Sequence, residues 1–355
     1  MTAAHIRVGV VGAGWWATKT HLPALTANPD ARVVGVCDHQ IDRAQFAAEL
    51  FNVGVAVADL DEFIGLNLDC AVVATPHDSH HESAAALLDA GVDVLVEKPM
   101  TIDPNEAWDL VARAKASGVH LHVGYTHPYS SVAGHLRKHL LEGDLGDLLC
   151  VSGLFATAVE PLYRGRAAQE QGRDGAVVVS GPDTYADPQR GGGQLLTQMT
   201  HAVGLVLWLT GSTPERVSAA IINAGYSVDV ANGIVMTMSS GSLASLTSVG
   251  TVHDPELRSG EYHFFGTRGL AKLDTLTGSL SVALSSGATI SYAVDEPAAA
   301  NPIDAPAAAL VATALGRQPV VVPGAIGARA VDVLAASRES SQSHQTVTIH
   351  PGTIA

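Results

Sequence analysis

Cysteine, basic residues and long apolar runs are all scarce in this sequence. Only Cys37, Cys70 and Cys150 occur, far apart and set in apolar stretches. That excludes a disulfide framework and predicts three buried free thiols. Lys and Arg number 20 against 35 Asp and Glu, a formal charge of −15. Without a basic face the chain cannot neutralise a row of phosphates, so a nucleic-acid partner is excluded. The mean hydropathy is positive, at +0.21. Yet the longest apolar stretches, such as Val203–Leu209, fall far short of the ~20 residues that span a bilayer. The N-terminus runs straight into a strand-like segment, without the charged and apolar regions of a signal peptide, which predicts a cytoplasmic location.

What is present is apolar and rich in Val, Ala and Gly. The 355 residues are 47% apolar, which suits about two domains with substantial cores. In the first third, Ile6–Val11, Arg32–Cys37, Ala71–Ala74, Val92–Val96 and Val119–Gly124 read as buried parallel strands. Helical patterns at Ile41–Phe51 and Ser79–Ala90 separate them, and Asp103-Pro104-Asn105-Glu106 opens another helix as a capping box. This alternation predicts a doubly wound α/β sheet. After residue 126 the pattern changes. Leu148–Thr157, Val217–Asn223, Gly233–Ser239, Ser242–Gly250, Glu261–Phe265 and Leu270–Leu273 suit a mostly antiparallel sheet with one covered face. Helices are expected at Ser130–Leu141, Gly193–Leu209, Pro306–Leu315 and Ala325–Ser340. The stretch from Glu160 to Arg190 reads as a long functional loop.

Gly12-Ala13-Gly14-Trp15-Trp16-Ala17 follows a strand and opens a helix. It has the G-x-G-x-x-A form of a dinucleotide site: Gly12 for the turn, Gly14 for approach to a pyrophosphate, Ala17 for helix–strand packing. Asp38 closes the second strand, where a carboxylate accepts ribose hydroxyls and repels a 2′-phosphate, favouring NAD over NADP. Arg43, one turn on, could tolerate NADP. Thr75-Pro76, Glu97-Lys98-Pro99 and Tyr125 also lie at strand carboxyl ends, where open α/β sheets bind ligands. Of five lysines, Lys98 alone follows a buried strand directly; the other four, Lys19, Lys115, Lys138 and Lys272, are expected on helices or turns. A lysine at a cleft rim can exchange protons with a substrate. Gly191-Gly192-Gly193 lets a helix start approach a ligand, and Thr197 and His201, four apart, are expected on one face of it, flanked by Gln194. His77, His80 and His81 are read as facing the cofactor, not as metal ligands, since nothing completes a set. Trp15 and Trp16 are read as flanking the cofactor.

Together these segments resemble the Gfo/Idh/MocA family of glucose–fructose oxidoreductase, inositol dehydrogenase and relatives. The matching residues are Val10–Ala17, Val36-Cys37-Asp38, Ala74–His80, Val96–Met100, and Gly191–His201 followed by Leu207-Trp208-Leu209-Thr210-Gly211. The resemblance implies a Rossmann domain, placed at 1–126, and an α/β substrate-binding and oligomerisation domain with a large open sheet, placed at 127–355. It implies NAD(P)-linked hydride transfer at a sugar, inositol or polyol carbon, by a homodimer or homotetramer. Lys98 matches the family's catalytic lysine and His201 its histidine; Thr75, Pro76 and His80 match cofactor-side positions. Two departures stand out. Thr197 replaces the usual Asp four before the histidine, and His77 stands where Asn is common. Either Asp183 or Asp187 replaces the lost carboxylate, or Lys98 acts with His201 alone. The candidate cofactor residues are thus Gly12, Gly14, Trp15, Trp16, Ala17, Asp38, Thr75, Pro76, His77, His80, Glu97 and Lys98. Lys98 and His201 are the candidate catalytic pair. Tyr125, His127, Tyr163, Arg164, Tyr185, Asp187, Gln194 and Thr197 are candidates, with His201, for binding substrate. Two other readings stay open: a redox-neutral enzyme that uses NAD to oxidise a glycoside transiently, and a non-catalytic sugar or nucleotide sensor.

Overall fold

The computed structural model describes residues 5–166, 169–171, 177–179 and 182–350. Six parallel strands form the first sheet: β1 (Ile6–Val11), β2 (Ala31–Cys37), β3 (Ala56–Val57), β4 (Cys70–Val73), β5 (Asp93–Val96) and β6 (Leu121–Val123). Their order, β3-β2-β1-β4-β5-β6, reverses direction between β1 and β4, which opens the crevice a dinucleotide uses. Alternate residues serve opposite cores. Val8, Val10, Val72 and Leu95 pack with Leu22, Ala44 and Leu310 on one face. Val73, Val94, Val96 and Val123 pack with Leu87, Leu110 and Val331 on the other. Burying both faces explains the unbroken Val-rich runs. The helix Ala305–Ala314, late in the chain, returns to cover this sheet through Ala307, Leu310 and Val311.

The second sheet has nine strands. They are β7 (Leu148–Ala156), β10 (Pro214–Ile222), β11 (Ala231–Met238), β12 (Leu243–Val249), β13 (Ser259–Gly266), β14 (Gly269–Asp274), β15 (Ser279–Leu284), β16 (Thr289–Ala293) and β17 (Val347–Thr348). The numbers between belong to a short hairpin, β8 (Gln169–Gln171) and β9 (Val177–Val179). The sheet order is β16-β15-β14-β13-β7-β12-β11-β10-β17, antiparallel except where β7 meets β12. One face buries Val151, Ile234, Met236, Leu246, Tyr262 and Phe264. The other turns Leu154, Val235, Leu243 and Phe265 outward, each 40–46% exposed.

Several expectations need correction. β3, β15, β16 and β17 are additional strands. The outward positions of β15 and β16 are Ser, Thr and Ala, so their alternation carries little contrast. Lys272 lies on β14, not on a helix or turn. Cys150 is only half-buried, because it faces the open side of the sheet beside Leu243 and Phe265. The expected helix from Gly193 is present, and its first turn, Leu195–Met199, is π-helical before it continues as the α-helix Thr200–Thr210. The Glu160–Arg190 stretch carries short helices at Glu160–Tyr163 and Pro182–Ala186 as well as the hairpin. Among the described residues no helix is long and apolar enough to cross a membrane.

Candidate active site

The strand ends of the first sheet meet the Gly191–His201 segment of the second half. Gly12 has φ +91°, and a Cβ there would lie 2.6 Å from the Ala74 carbonyl group. Gly12 therefore lets the β1 and β4 ends approach. Gly14 differs: a Cβ there meets nothing within 4 Å, so the turn faces open space. The helix that follows leaves its first N–H groups without intrahelical acceptors, which suits an anion. The residues thus fit a pyrophosphate. Ala17 is fully buried, as helix–strand packing requires. Asp38 shapes the same turn, its Oδ2 accepting from Ala13 N and its Oδ1 from Gln40 N, both at 2.9 Å. Arg43 is exposed on the following helix.

Both Glu97 oxygens are engaged by protein groups. Its Oε1 accepts from Trp16 Nε1 and lies 2.8 Å from His21 Nε2, and its Oε2 accepts from Lys98 N at 3.1 Å. Burial pushes its carboxyl pKa up, but the His21 hydrogen bond and the nearby Lys98 outweigh this and hold it below the ordinary value. Trp16 is therefore fixed by Glu97, while Trp15 lies against Trp16 and under Lys19 Nζ. His80 is also turned inward: its ring nitrogens lie 2.9 Å from the Pro99 and Thr75 carbonyls, so it braces two strand ends behind the cleft. His77 Nδ1 meets the Gly191 carbonyl at 3.1 Å, and its ring touches His80 and Tyr185 edge-on. His81 pairs with Asp109. Thr75 and Pro76 are half-buried at the β4 end. Arg190 bonds Asp78, a second tie between this loop and the Gly191 turn.

Lys98 is half-buried, and its Nζ donates to the Thr197 carbonyl at 3.3 Å. His201 lies close enough to feel its charge. The His201 ring sits among Tyr125, His127 and Phe155, with ring centres 6.1, 6.1 and 6.0 Å away. Burial, then Lys98, then His127 push the His201 pKa well below its ordinary value. Burial likewise lowers His127 to about 4, although its ring hydrogen-bonds the Ala300 backbone.

Four residues expected at the substrate have protein partners for their polar tips. Tyr125 is buried and bonds Thr200 Oγ1 at 2.7 Å. Thr197 donates to the Gly193 carbonyl at 2.7 Å and meets the Tyr163 hydroxyl at 3.0 Å. Tyr163 donates to Gln194 Oε1, and Gln194 Nε2 donates to Ser248, which reaches Asn232. Tyr185 stays beside His77, and Asp187 caps the Pro188–Arg190 turn. One Asp187 oxygen is thus taken up by the cap, and the Asp183 side chain lies outside the described residues. Arg164 lies at a separate cavity of about 410 Å³, stacked on Tyr226 and paired with Glu160.

Two residues were not anticipated. His21 lies five residues after Trp16, the spacing of the π-turn Ala17–His21, so both reach one Glu97 oxygen. Asp229 Oδ2 accepts from Leu195 N at 2.8 Å and from Asn232 at 3.1 Å, capping the turn that carries Thr197. Burial raises its pKa. An acid between Val228 and Val230 was the available signal.

Comparison with known proteins agrees with this geometry. A family model described as an oxidoreductase family with an NAD-binding Rossmann fold matches residues 6–125. The model of the GFO/IDH/MocA C-terminal domain matches residues 134–272. The dTDP-3,4-didehydro-2,6-dideoxy-alpha-D-glucose 3-reductase of Streptomyces antibioticus is 29% identical over 279 residues, 77% of each chain. The D-glucoside 3-dehydrogenase of Escherichia coli (strain K12) is 30% identical over 149 residues, 42% of each chain. The crystal structure of GenD2 from gentamicin A biosynthesis, in complex with NAD, shares the fold. Its TM-score is 0.79 at 21% identity, over 99% of this chain and 98% of that one.

Proposed function

The chain belongs to the Gfo/Idh/MocA family of oxidoreductases, and on that footing we propose that it transfers a hydride between a nicotinamide cofactor and a ring carbon of a sugar or related polyol. Both named relatives act on sugars, and each name carries the position 3. A ring C3 position is therefore the favoured reacting carbon. The observation that carries the reading is Lys98: a lysine at a parallel-strand end, tethered by its tip to the Thr197 carbonyl and next to His201.

The cofactor, when bound, supplies or accepts the hydride. Gly14 and the following helix start would hold its pyrophosphate, and Asp38 the adenosine ribose. Each Asp38 oxygen keeps a lone pair after serving Ala13 and Gln40. Its negative charge favours NAD over NADP. Lys98 exchanges the proton on the substrate oxygen, and the Thr197 carbonyl holds the amine in place. The open face of the second sheet, with Leu154, Val235, Leu243 and Phe265, supports assembly of a homodimer or homotetramer.

The test is turnover on panels of sugars, inositols and keto-sugars with NAD(H) and NADP(H). Lys98→Met should lower kcat by about 10²–10⁴ while NADH affinity stays within a few-fold. Undiminished kcat would remove Lys98 from the chemistry.

A further inference from the structure

Resting on that reading, we propose that His21 is a positioning residue: it fixes the Glu97 carboxylate, and through it both the backbone of Lys98 and the indole of Trp16, so that the nucleotide turn and the lysine share one anchor. His21 is 1% and Glu97 6% exposed, so both act from behind the cleft wall. One carboxylate gathers the contacts. Glu97 Oε1 accepts from Trp16 Nε1 and from His21 Nε2, each at 2.8 Å, and Oε2 accepts from Lys98 N at 3.1 Å. His21 reaches this oxygen because the turn Ala17–His21 is π-helical, which brings residues 16 and 21 over one another. Turns of this kind are rare and collect at functional sites.

Stability alone does not account for this arrangement. A carboxylate only accepts, so His21 Nε2 carries the hydrogen in the contact. His21 Nδ1 is buried without a partner, so the ring leaves one polar atom unmatched in order to make a single bond to Glu97. Replacing a buried charge and its partner by apolar residues of similar volume is often neutral or stabilising, so packing needs neither residue. Burial raises the Glu97 carboxyl, but the His21 bond and then Lys98 bring it below its ordinary value, which keeps the charge under the lysine. The main chain makes room for it: a Cβ at Gly124 would lie 2.5 Å from Glu97 Oε1 and 2.8 Å from its carboxyl carbon. Glu97 N bonds the Val73 carbonyl and Gly124 N the Val96 carbonyl, both at 2.9 Å. With the backbone tied to its neighbouring strands, the side-chain torsions are the freedom that remains, and the three donors remove it.

Lys98 follows Glu97 directly, and its long side chain is defined at two points. Oε2 of Glu97 holds its backbone N–H, and the Thr197 carbonyl holds its tip at 3.3 Å. Loosening the first point lets the second drift. A displacement of about 1 Å in a reacting group, caused from outside the chemistry, can cost about 100-fold in rate. The same carboxylate orients Trp16 in the turn that Gly14 opens to solvent. The turn assigned to the nucleotide and the lysine assigned to the proton are therefore kept in register through Glu97, and His21 is the donor with no other polar contact.

Two amides of different reach separate positioning from packing. His21→Gln can set an amide N–H near the Nε2 position, whereas His21→Asn is one bond too short. The probe is NAD with methyl α-D-glucoside, replaced by the fastest panel sugar if that is another. His21→Asn should lose about 10–100-fold in kcat, with the sugar KM and the NADH Kd within about threefold of the parent, and His21→Gln should recover kcat to within about threefold. A second readout needs no turnover. The Trp16 indole N–H signal in ¹⁵N–¹H spectra, identified by its loss in Trp16→Phe, should lie downfield in the parent because its acceptor is charged. It should move upfield in His21→Asn and in Glu97→Gln, and return in His21→Gln. Parent-like kcat in His21→Asn, an equal loss in both amides, or a Trp16 signal unmoved by Glu97→Gln overturns the inference. The last measurement decides even where His21→Asn does not fold. A parent that turns over while ignoring His21→Asn leaves the hydride-transfer reading standing. A folded parent inactive across the sugar, inositol and keto-sugar panels in both directions overturns that reading, and this one with it.

Discussion

The two glycines of the nucleotide turn separate a folding role from a binding role. Gly12 has φ +91°, where an L side chain is strained by about 1–2 kcal/mol. Its Cβ would also lie 2.6 Å from the Ala74 carbonyl carbon and oxygen and 2.7 Å from Thr75 N, all backbone atoms held by the β4 end. Overpacking of this kind costs about 1–3 kcal/mol. Gly12→Ala should therefore destabilise the first half of the chain by about 2–5 kcal/mol. Gly14 has no positive φ and open space at its Cβ. Gly14→Ala should leave stability unchanged or raise it by about 0.4–1 kcal/mol, through a less flexible unfolded chain. If the pyrophosphate lies against that residue, the added methyl weakens NADH binding tenfold or more, about 1.4 kcal/mol. Urea unfolding followed by tryptophan fluorescence, with NADH titration calorimetry on each variant, reads both quantities. Parent-like NADH affinity in Gly14→Ala refutes the assigned nucleotide position. Parent-like stability in Gly12→Ala refutes the backbone contact.

Asp38→Ala strips the buried Ala13 N–H of its acceptor, so stability should fall by about 1–3 kcal/mol, and the proposed kcat/KM preference for NAD over NADP should narrow. Thr197→Val removes a hydroxyl that faces inward; about 1–2 kcal/mol of stability should go while kcat changes only a few-fold, and a hundredfold kcat loss at parent stability would show that the hydroxyl meets substrate. Burial lifts the Asp332 pKa to about 6, although the Trp108 hydrogen bond and Arg329 oppose the rise. The folded state therefore binds that proton more tightly than the unfolded state, and the stability it contributes at low pH is lost as pH rises from about 4 to 6. The full shift corresponds to about 3 kcal/mol, nearer 1–2 after solvent screening of a part-exposed group. Asp332→Asn keeps an acceptor for Trp108 and should be more stable than the parent by that amount at about pH 8 and equal to it at about pH 4, in urea titrations at each pH.

The first sheet was legible because both of its faces are buried, so strand after strand reads as an apolar run ended by a functional residue. The helix starts were legible through chemistry local to a few residues: Asp103 does accept from Asn105 N, as its capping position requires. Side-chain direction was not legible wherever a π-turn intervened. Trp16 and His21 converge on one Glu97 oxygen at a spacing that a 3.6-residue helix would splay apart. Nor does spacing reveal long-range satisfaction. Gln194, Tyr163 and Tyr125 carry the polar tips expected of sugar-binding groups, yet each tip is matched to a partner from a distant segment, Ser248, Thr197 and Thr200. Polar residues near glycine-rich turns mark a site well and their direction poorly.

Lys98 is held from both halves of the molecule. Its backbone N–H bonds Glu97, whose other oxygen secures Trp16 and His21 on the helix after the nucleotide turn. Gly124 permits this, since a Cβ there would lie 2.5 Å from Glu97 Oε1. The lysine's tip bonds a carbonyl on the turn that precedes His201. That second hold is to backbone, so it does not depend on which side chain residue 197 carries. A threonine in place of a carboxylate therefore leaves the lysine in the position from which its proposed proton exchange would take place. The His201 ring is set differently, by side chains: it lies among Tyr125, His127 and Phe155, and burial, then Lys98 and His127, disfavour its charged form. The two positions are in this sense separable: the main chain holds Lys98, and side chains surround His201.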